Sequence, residues 1–317
     1  MDNCNVVKGF FLILVFIRHF LQYKPIFVET PGHDLILMIN GKLGQLIVAL
    51  FLFYSGYGVM VSAIRKGSSY VRALPRRRIL PTWISFAAAV AVYAAVTIGI
   101  GLYKPELRRI LLSMIGWKSY GNSNWYIFCV LLLYLAHWIA MSLAGTGNCS
   151  VAVLCVLTGL YVLVVSGYKD SYWWNTAFCY AAGCAWAVNK DRIDALLDRV
   201  SFGSPVGSLF FFIATRLLWQ NRAVSEYLYL LCSVCFAVGV VLLSRCITIE
   251  SPFLLWAGRN LYPLFIFQRL PMILLQKKLV GHGFYYFIIC LLLTLLTAPA
   301  YNQISRWIIR RCKSSRS

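Results

Sequence analysis

The chain has 317 residues, of which 60% are hydrophobic and 13% charged, and its mean hydropathy is +0.72. A soluble domain carries about 25% charged residues, so this composition excludes an ordinary soluble enzyme and indicates a multi-pass membrane protein. The formal net charge of +20 would suggest nucleic-acid binding in a soluble protein. Here the lysines and arginines lie in short connections beside apolar segments, where they set topology and contact anionic lipid, so no nucleic-acid partner is expected.

Apolar segments long enough to cross about 30 Å of hydrocarbon recur along the whole chain. Together they predict an all-α fold, a polytopic transmembrane helix bundle of about ten spans. The predicted spans cover residues 6–23, 44–64, 80–102, 124–144, 151–167, 174–189, 204–220, 227–244, 257–275 and 284–304. A shorter segment, 105–117, is partly charged and is typical of a surface or re-entrant helix.

Lysine and arginine in the connections indicate the orientation, because cytoplasmic connections carry an excess of both. The densest basic cluster follows the second span and comprises Arg65, Lys66, Arg72, Arg76, Arg77 and Arg78. With this cluster in the cytoplasm, counting outward places both termini there as well. We therefore predict a membrane-embedded domain over residues 1–305 and a basic cytoplasmic tail over residues 306–317, in the cell inner (cytoplasmic) membrane.

The first span carries ionisable side chains, and such groups inside a membrane are a functional-site hypothesis by default. Lys8 and His19 are eleven residues apart. In a helix this spacing places them within roughly 20° on one face, about 16 Å apart along the axis. Histidine titrates near neutral pH, so His19 is suited to act as a general base. Alternatively, Arg18 and His19 lie at the outer interface and extend to water.

The end of the second span and the stretch after it each allow two interpretations. Ser55-Gly56-Tyr57-Gly58 interrupts an apolar helix, which favours either close helix packing or an open backbone that lines a cavity. Residues 72–81 are rich in arginine and contain Pro75 and Pro81. This stretch is either a cytoplasmic anchor or a loop that clamps phosphate, whose oxygens guanidinium groups bind in pairs.

The fourth span begins with aromatic residues and contains a second histidine. Trp125 and Tyr126 fit either an interface belt or a platform on which the apolar face of a sugar stacks. His137 lies deeper in the span, on nearly the same face as Tyr134. We rank His137 second to His19 as a catalytic candidate.

The ninth span is interrupted by Gln268, Arg269 and Pro271. An arginine buried in a membrane span needs a polar partner or a water-filled cavity. This interruption therefore predicts a polar site within the bundle.

Some chemistries are excluded by what the sequence lacks. It contains no zinc-protease, nucleophile-elbow or phosphate-loop motif and no Cys/His cluster with metal-ligand spacing, so no metal is expected. The ten acidic residues all lie outside the interiors of the predicted spans, which argues against a proton-coupled transporter.

Five motifs follow one another along the chain. They are Lys8 and His19 separated by ten residues, residues 52–58 (LFYSGYG), residues 78–81 (RILP), Trp125-Tyr126 with Tyr134, and residues 258–262 (GRNLY). In order and content this set resembles the integral-membrane acyltransferase type 3 family, over nearly the whole chain. The chain departs from the family at Lys8 and Pro75, where the family has arginine, and at Gln268, where it often has histidine.

The resemblance implies a His-dependent O-acyltransferase that moves an acyl group, most often acetyl, from coenzyme A to a hydroxyl of a cell-surface sugar or lipid-linked glycan. His19 is then the catalytic residue. The acyl donor, acetyl-CoA, is expected to bind Lys8, Arg72, Arg76, Arg77 and Arg78. The carbohydrate or glycan acceptor is expected to contact Ser55, Tyr57, Trp125, Tyr126, Tyr134, Gln268 and Arg269.

Two other functions fit a basic, polytopic and aromatic-rich chain. A polysaccharide flippase or exporter needs no coenzyme A, so specific binding of labelled acetyl-CoA separates it from a transferase. A polymerase of lipid-linked sugars relies on a large outer loop with catalytic charges. The outer connections here are short, so we rank the polymerase last.

Overall fold

The computed structural model describes residues 2–23, 41, 43–199, 202–221, 225–276 and 283–314, and its side-chain description covers residues 3 to 304 of these. Every regular element in these segments is helical, so the predicted all-α class is confirmed. A π-helical turn, Pro75–Ile79, also occurs. We number the α-helices in chain order as α1 (Asp2–Tyr23), α2 (Leu46–Lys66), α3 (Ser68–Leu74), α4 (Leu80–Gly99), α5 (Leu107–Met114), α6 (Asn124–Ala144), α7 (Asn148–Ser166), α8 (Phe178–Val188), α9 (Lys190–Arg199), α10 (Gly203–Gln220), α11 (Leu228–Cys246), α12 (Pro252–Arg259), α13 (Leu261–Phe267), α14 (Arg269–Leu275) and α15 (Gly283–Ser314).

Seven helical segments are long and apolar enough to cross a membrane, and they coincide with seven of the ten predicted spans. They are Asn3–Tyr23, Leu46–Lys66, Ser68–Gly99, Asn124–Ala144, Asn148–Ser166, Leu228–Cys246 and Gly283–Ile304. The chain is therefore a multi-pass membrane protein. Counted over the described residues, the number reaches eight if α9 and α10 form one bent span.

The other three predicted spans are short or interrupted. Segment 174–189 contains α8, which has only 11 residues. Segment 204–220 is α10, which qualifies as a membrane span only when it is taken together with α9. Segment 257–275 is divided among α12, α13 and α14, with breaks at Asn260 and Gln268. The predicted number of about ten spans is therefore not confirmed.

Prolines explain the breaks between α12 and α14. Pro263 and Pro271 each occupy the third position of a short helix. Proline lacks an N–H and its ring clashes with the carbonyl four residues back, so it is tolerated in the first turn of a helix and interrupts a longer one. The hydroxyl of Tyr93 donates a hydrogen bond of 2.9 Å to the carbonyl of Ile266, beside the second break. A side chain thus supplies a partner to the backbone where helical bonding is interrupted.

The arginine-rich stretch is helical, whereas the sequence favours a loop there. Together α3, the π turn and α4 form one helical segment of 32 residues. Pro75 begins the π turn, and the N–H of Leu80 donates to the carbonyl of Pro75 across the wide spacing of that turn. Pro75 and Pro81 lie inside this continuous segment, where each lacks the N–H of a helical hydrogen bond, and the π turn runs from Pro75 to just before Pro81.

The cytoplasmic location of both termini stays a prediction. The domain boundary at residue 305 also stays a prediction, and the candidate span in α15 covers Gly283–Ile304. The helix itself continues to Ser314, so most of the predicted basic tail continues α15. Residues 315–317 of that tail lie outside the described residues.

A glycine in α2 and one in α8 bring these two buried helices into backbone contact. A Cβ added to Gly56 would lie 2.1 Å from the carbonyl oxygen of Tyr180, and one added to Gly183 would lie 2.0 Å from that of Phe53. No side chain fits in that space, so the helix pair requires glycine at both positions. Close packing is therefore the interpretation that holds for Gly56 of the SGYG motif.

Replacing Gly56 with alanine is expected to destabilise the protein, because the added methyl group would overlap the α8 backbone. Overpacking of this kind costs about 1–3 kcal/mol. The measurement is the melting temperature of the detergent-solubilised protein, followed by size-exclusion chromatography after heating. Gly58→Ala is the matched control on the same helix, since nothing lies within 4 Å of a Cβ at that position. Equal melting temperatures for the two variants would contradict the close contact of α2 with α8.

Candidate active site

Two cavities lie within the helix bundle, and the same elements contribute to both: α1, α2, α6 and the broken segment α12–α14. The larger has a volume of about 510 Å³ and includes Lys8, so we call it the Lys8 cavity. The smaller has a volume of about 390 Å³ and includes His19, so we call it the His19 cavity. Lys8 and His19, the two side chains singled out in the first span, thus line different cavities although both lie on α1.

The Lys8 cavity is basic. Four cationic side chains line it, and no aspartate or glutamate is among the described residues of its wall: the cations are Lys8, Arg77, Arg78 and Arg259. Hydroxyl and amide groups complete the polar wall, namely Ser55, Thr82, Ser85, Tyr126, Tyr134, Asn260, Tyr262, Tyr301 and Asn302. Such a cavity suits a ligand with several negative charges, because guanidinium groups pair with phosphate oxygens.

The π turn brings two arginines of the basic cluster to this cavity. All four arginines are exposed, but Arg77 and Arg78 line the Lys8 cavity, whereas Arg72 and Arg76 lie outside the walls of both cavities. A π turn contains one more residue than an α-helical turn, so it rotates the following side chains around the helix axis. Of the five cations predicted to bind the donor, the structure brings together Lys8, Arg77 and Arg78.

Hydrogen bonds from α15 close one side of the Lys8 cavity. The hydroxyl of Tyr301 donates to Oγ of Ser85 at 2.9 Å, and the side-chain amide of Asn302 donates to Oδ1 of Asn260 at 2.8 Å. None of these was predicted as a site residue, because nothing in the sequence indicates that α15 packs beside the break at Asn260. Since Lys8 and Asn302 line one cavity, the start of α1 and this part of α15 lie on the same face of the bundle.

Residues 258–262 form another part of the wall of the Lys8 cavity, although the sequence assigned no role in the site to them. A Cβ added to Gly258 would lie 1.8 Å from the carbonyl oxygen of Asn5, so α12 packs directly against α1. Arg259 and Tyr262 then follow at the first break and line the cavity. These residues are one of the motifs that carry the family resemblance. The resemblance could therefore have identified Arg259 and Tyr262 as site residues.

His19 is buried within the bundle, with 8% of its surface exposed, and it lines the second cavity. Its Nδ1 has no hydrogen-bond partner among the described residues. Buried polar atoms are nearly always paired, so this ring nitrogen has a hydrogen-bonding capacity that the described residues leave unused. An imidazole in this position can accept a proton from that hydroxyl.

The remaining wall of the His19 cavity is polar and aromatic. Beside His19 it comprises Val15, Arg18, Gln22, Gly44, Gln45, Val48, Tyr103, Ser119, Gly121, Asn122, Asn124, Trp125, Tyr172 and Arg269. The rings of Trp125 and Tyr172 pack edge to face with centroids 5.9 Å apart. The Asn124 amide donates to the carbonyl of Gly116 at 2.6 Å and so fixes the turn that begins α6. Aromatic faces and amides together offer both stacking and hydrogen bonds to a ligand.

Arg269 is half-buried and has polar partners on α1. Its Nε donates to the hydroxyl of Tyr23 at 3.1 Å, and its Nη2 donates to Oε1 of Gln22 at 3.2 Å. The guanidinium also lies over the ring of Tyr23, 5.5 Å from the centroid. These contacts between α14 and α1 fix a positive charge at the wall of the cavity that holds His19. A charge held in this way can stabilise negative charge that develops on an oxygen during a reaction.

Three further residues singled out in the sequence lie outside the walls of both cavities: Tyr57, His137 and Gln268. Gln268 is fully buried at the second break, where its Nε2 donates to the carbonyl of Phe265 at 3.0 Å. His137 is also fully buried, and its Nδ1 lies 2.9 Å from the hydroxyl of Tyr180. This hydrogen bond joins α6 to α8, so the contacts of His137 are those of a packing residue.

A layer of three aromatic rings lines the Lys8 cavity, and one of these rings contacts His19. Phe51, Tyr126 and Phe265 all line the Lys8 cavity and contact one another edge to face. The ring centroids lie 6.4 Å apart for Phe51 and Tyr126, 6.5 Å for Phe51 and Phe265, and 5.1 Å for Tyr126 and Phe265. On the other side, the ring of His19 lies 6.3 Å from that of Phe265. We call these three residues the aromatic layer.

A model of the acyltransferase 3 family, described as an acyltransferase domain, matches residues 2–302. The match covers nearly the whole chain and includes both cavities, so the chain belongs to this family, as the sequence motifs predict. It is therefore a membrane-embedded acyltransferase in the general sense. Searches of curated proteins and of solved structures found no match.

Cysteines introduced into the two cavities are expected to react from opposite sides of the membrane, because the cavities lie at opposite ends of shared helices. Ser85→Cys tests the Lys8 cavity and Gln22→Cys the His19 cavity, in a chain whose exposed Cys149 and Cys246 are serine. The measurement is labelling by a membrane-impermeant maleimide in inside-out and right-side-out vesicles. The first cysteine should react only in inside-out vesicles and the second only in right-side-out vesicles.

The chain without an added cysteine gives the background labelling. If both introduced cysteines react from the same side, the two cavities do not open to opposite faces.

Proposed function

We propose that this acyltransferase transfers an acetyl group from coenzyme A to a hydroxyl of a cell-surface sugar or lipid-linked glycan, with His19 as the catalytic base. One observation carries the proposal. A basic cavity and a cavity that holds a buried imidazole are built from the same helices, and the ring of His19 lies 6.3 Å from that of Phe265, which lines the basic cavity. In this arrangement the donor occupies the Lys8 cavity and the acceptor the His19 cavity.

The charge of the Lys8 cavity supports binding of acetyl-CoA from the cytoplasm. Coenzyme A carries a pyrophosphate and a 3′-phosphate, and a cavity with four cations and no described carboxylate complements both. Arg77 and Arg78 offer paired N–H donors that match phosphate oxygens, whereas Lys8 offers a compact charge. The volume of about 510 Å³ is in the range of small-molecule sites.

The composition of the His19 cavity supports a carbohydrate acceptor. The rings of Trp125 and Tyr172 can stack on the apolar face of a sugar, and the nearby amides can bond its hydroxyl groups. The acceptor is then either the sugar of a surface polysaccharide or a glycan still attached to its lipid carrier. Both present the same hydroxyl chemistry to His19.

The reaction follows from these placements. The imidazole of His19, which lines the cavity, takes the proton of the acceptor hydroxyl as the hydroxyl oxygen attacks the thioester carbonyl carbon. Arg269 lies at the same cavity and stabilises the oxyanion of the tetrahedral intermediate. The C–S bond then breaks, the C–O bond of the ester remains, and the coenzyme A thiolate receives the proton from the imidazolium. A covalent acetyl-His19 intermediate requires the same arrangement and ends in the same products.

Membership of an acyltransferase family favours this reaction over the alternative of a flippase or exporter. A flippase would move its glycan without a thioester and would have no need of the basic cavity. Label transfer from radioactive acetyl-CoA to membrane glycans separates the two functions, since only the transferase gives labelled glycan.

His19→Ala is expected to lower acetyl transfer by at least about 100-fold, because general-base catalysis contributes about 10²–10⁴-fold. Binding of acetyl-CoA should persist, since His19 does not line the Lys8 cavity. The measurements are label transfer to glycans in membranes and equilibrium binding of acetyl-CoA to the purified protein. His137→Gln is the control, a buried histidine in neither cavity wall, and folded protein of this variant should stay active. Undiminished transfer by His19→Ala would remove the role assigned to His19.

Arg77→Gln and Arg78→Gln are each expected to raise the Kd for acetyl-CoA by about 10–100-fold, since a hydrogen bond to a charged group is worth about 1.5–3 kcal/mol. Arg72→Gln and Arg76→Gln remove the same charge from the same stretch but outside the cavity, so their Kd should change little. The measurement is isothermal titration of all four variants with acetyl-CoA. Equal losses in all four would indicate general electrostatic attraction and contradict a specific clamp.

A further inference from the structure

We propose that the acceptor of this acyltransferase is an anionic sugar, and that Arg18 and the amino-terminal end of α6 bind its negative group while its hydroxyl reacts at His19. The proposal rests on the proposed function, because it concerns the acceptor in the His19 cavity. It adds the chemical class of that acceptor, a sugar that carries a carboxylate or a phosphate.

Two arginines from different helices line the His19 cavity. Arg18 belongs to α1 and Arg269 to α14, and both are half-buried. No aspartate or glutamate is among the described residues of the wall. The groups that hydrogen-bond Arg269 are the hydroxyl of Tyr23 and the amide of Gln22, which are both uncharged. A cavity of this composition attracts an anion, and guanidinium groups bind carboxylate and phosphate oxygens in pairs.

The amino-terminal end of α6 adds to this attraction. Its first two residues, Asn124 and Trp125, line the same cavity. The side chain of the N-cap residue, Ser123, makes no capping hydrogen bond. The first N–H groups of a helix have no partner within the helix, and a helix of 21 residues carries a partial positive charge at this end. Phosphate and carboxylate groups bind at helix ends of this kind.

The reaction gives a second reason for a negative charge in this cavity. His19 becomes an imidazolium when it takes the proton of the acceptor hydroxyl, so it adds a third positive charge to those of Arg18 and Arg269. A nearby like charge disfavours the charged form of a group, so with a neutral acceptor both arginines would oppose the proton transfer. A carboxylate or phosphate on the acceptor offsets this repulsion and also holds the sugar in the cavity.

Arg18 is the residue that separates recognition of the acceptor from the chemistry. Arg269 stabilises the oxyanion in the proposed function, so its loss would slow transfer to any acceptor. No step of the proposed reaction uses Arg18, although it adjoins His19 in the sequence and lines the same cavity. Replacement of Arg18 should therefore remove the preference for an anionic acceptor while the base remains.

The test removes the negative charge first from the acceptor and then from the protein. Glycan is extracted from cells that lack this protein and divided into three portions. One is left untreated, in the second carboxylates are reduced to alcohols with carbodiimide and borohydride, and in the third phosphate esters are cleaved with cold aqueous hydrofluoric acid. Full-length protein in lipid nanodiscs, which leave both faces accessible, receives each portion with radiolabelled acetyl-CoA. The measurement is the initial rate of label transfer at equal, subsaturating glycan concentrations.

Wild-type protein should label the untreated glycan about 10–100-fold faster than one of the treated portions, because a hydrogen bond to a charged group is worth about that factor in an equilibrium constant. A loss after carboxylate reduction identifies an acidic sugar. A loss after hydrofluoric acid identifies a phosphate on the sugar or on its lipid carrier. Arg18→Gln should label the untreated glycan more slowly and should label all three portions at nearly equal rates.

Arg108→Gln is the matched control. Arg108 is an exposed arginine of α5 outside the walls of both cavities. Its neighbour Arg109 donates a hydrogen bond of 2.8 Å to the carbonyl of Ser119, which lines the His19 cavity. This variant removes the same charge beside the cavity and should keep the wild-type ratio of rates. If Arg18→Gln does not fold, Arg18→Met removes the same charge, keeps an apolar stem and should give the same loss.

The results separate this proposal from the proposed function. Equal labelling of all three portions by wild-type protein, a wild-type ratio in a folded Arg18 variant, or an equal loss in Arg108→Gln would overturn the anionic acceptor site while acyl transfer stands. Wild-type protein that labels none of the portions would overturn the proposed function itself.

Discussion

The packing of three aromatic rings at the end of the Lys8 cavity beside His19 is the constraint on which the rest of the structure depends. Polar cavities that met inside the bundle would form a continuous path for water and ions across the membrane, whereas an apolar constriction excludes water. Phe51, Tyr126 and Phe265 supply that constriction with edge-to-face contacts. His19 packs against Phe265 of the same layer, so the proposed catalytic base lies one ring away from the Lys8 cavity.

Irregular backbone in this bundle is concentrated at the cavity walls. The π turn Pro75–Ile79 brings two arginines to the Lys8 cavity, and the breaks at Asn260 and Gln268 divide one span so that Arg259 lines the first cavity and Arg269 the second. Non-helical backbone at membrane depth is tolerated where it is buried in protein or lines a cavity. Contacts between a glycine of one helix and the backbone of the next hold neighbouring helices closely together. The irregular segments are therefore supported by closely packed regular helices.

The sequence predicts the fold class and family because apolar segments and ordered motifs are local signals. The sequence also singles out nine residues that line the cavities, although it does not show that there are two cavities. Six of them line the Lys8 cavity and three the His19 cavity, namely Lys8, Ser55, Arg77, Arg78, Tyr126 and Tyr134, and His19, Trp125 and Arg269. Other features depend on packing between distant segments. The contact of Tyr301 with Ser85 and the burial of Gln268 cannot be derived from hydropathy, and hydropathy does not distinguish one span from the short helices α12–α14.

The most direct test of the two-cavity account is a cryo-electron microscopy structure of the protein with a thioether analogue of acetyl-CoA. The account predicts the phosphates beside Arg77 and Arg78, the pantetheine arm along Ser55 and Tyr134, and the acyl end at the aromatic layer, next to Phe265 and the ring of His19. An analogue bound in the His19 cavity, or held by Arg72 and Arg76 outside the bundle, would contradict the account.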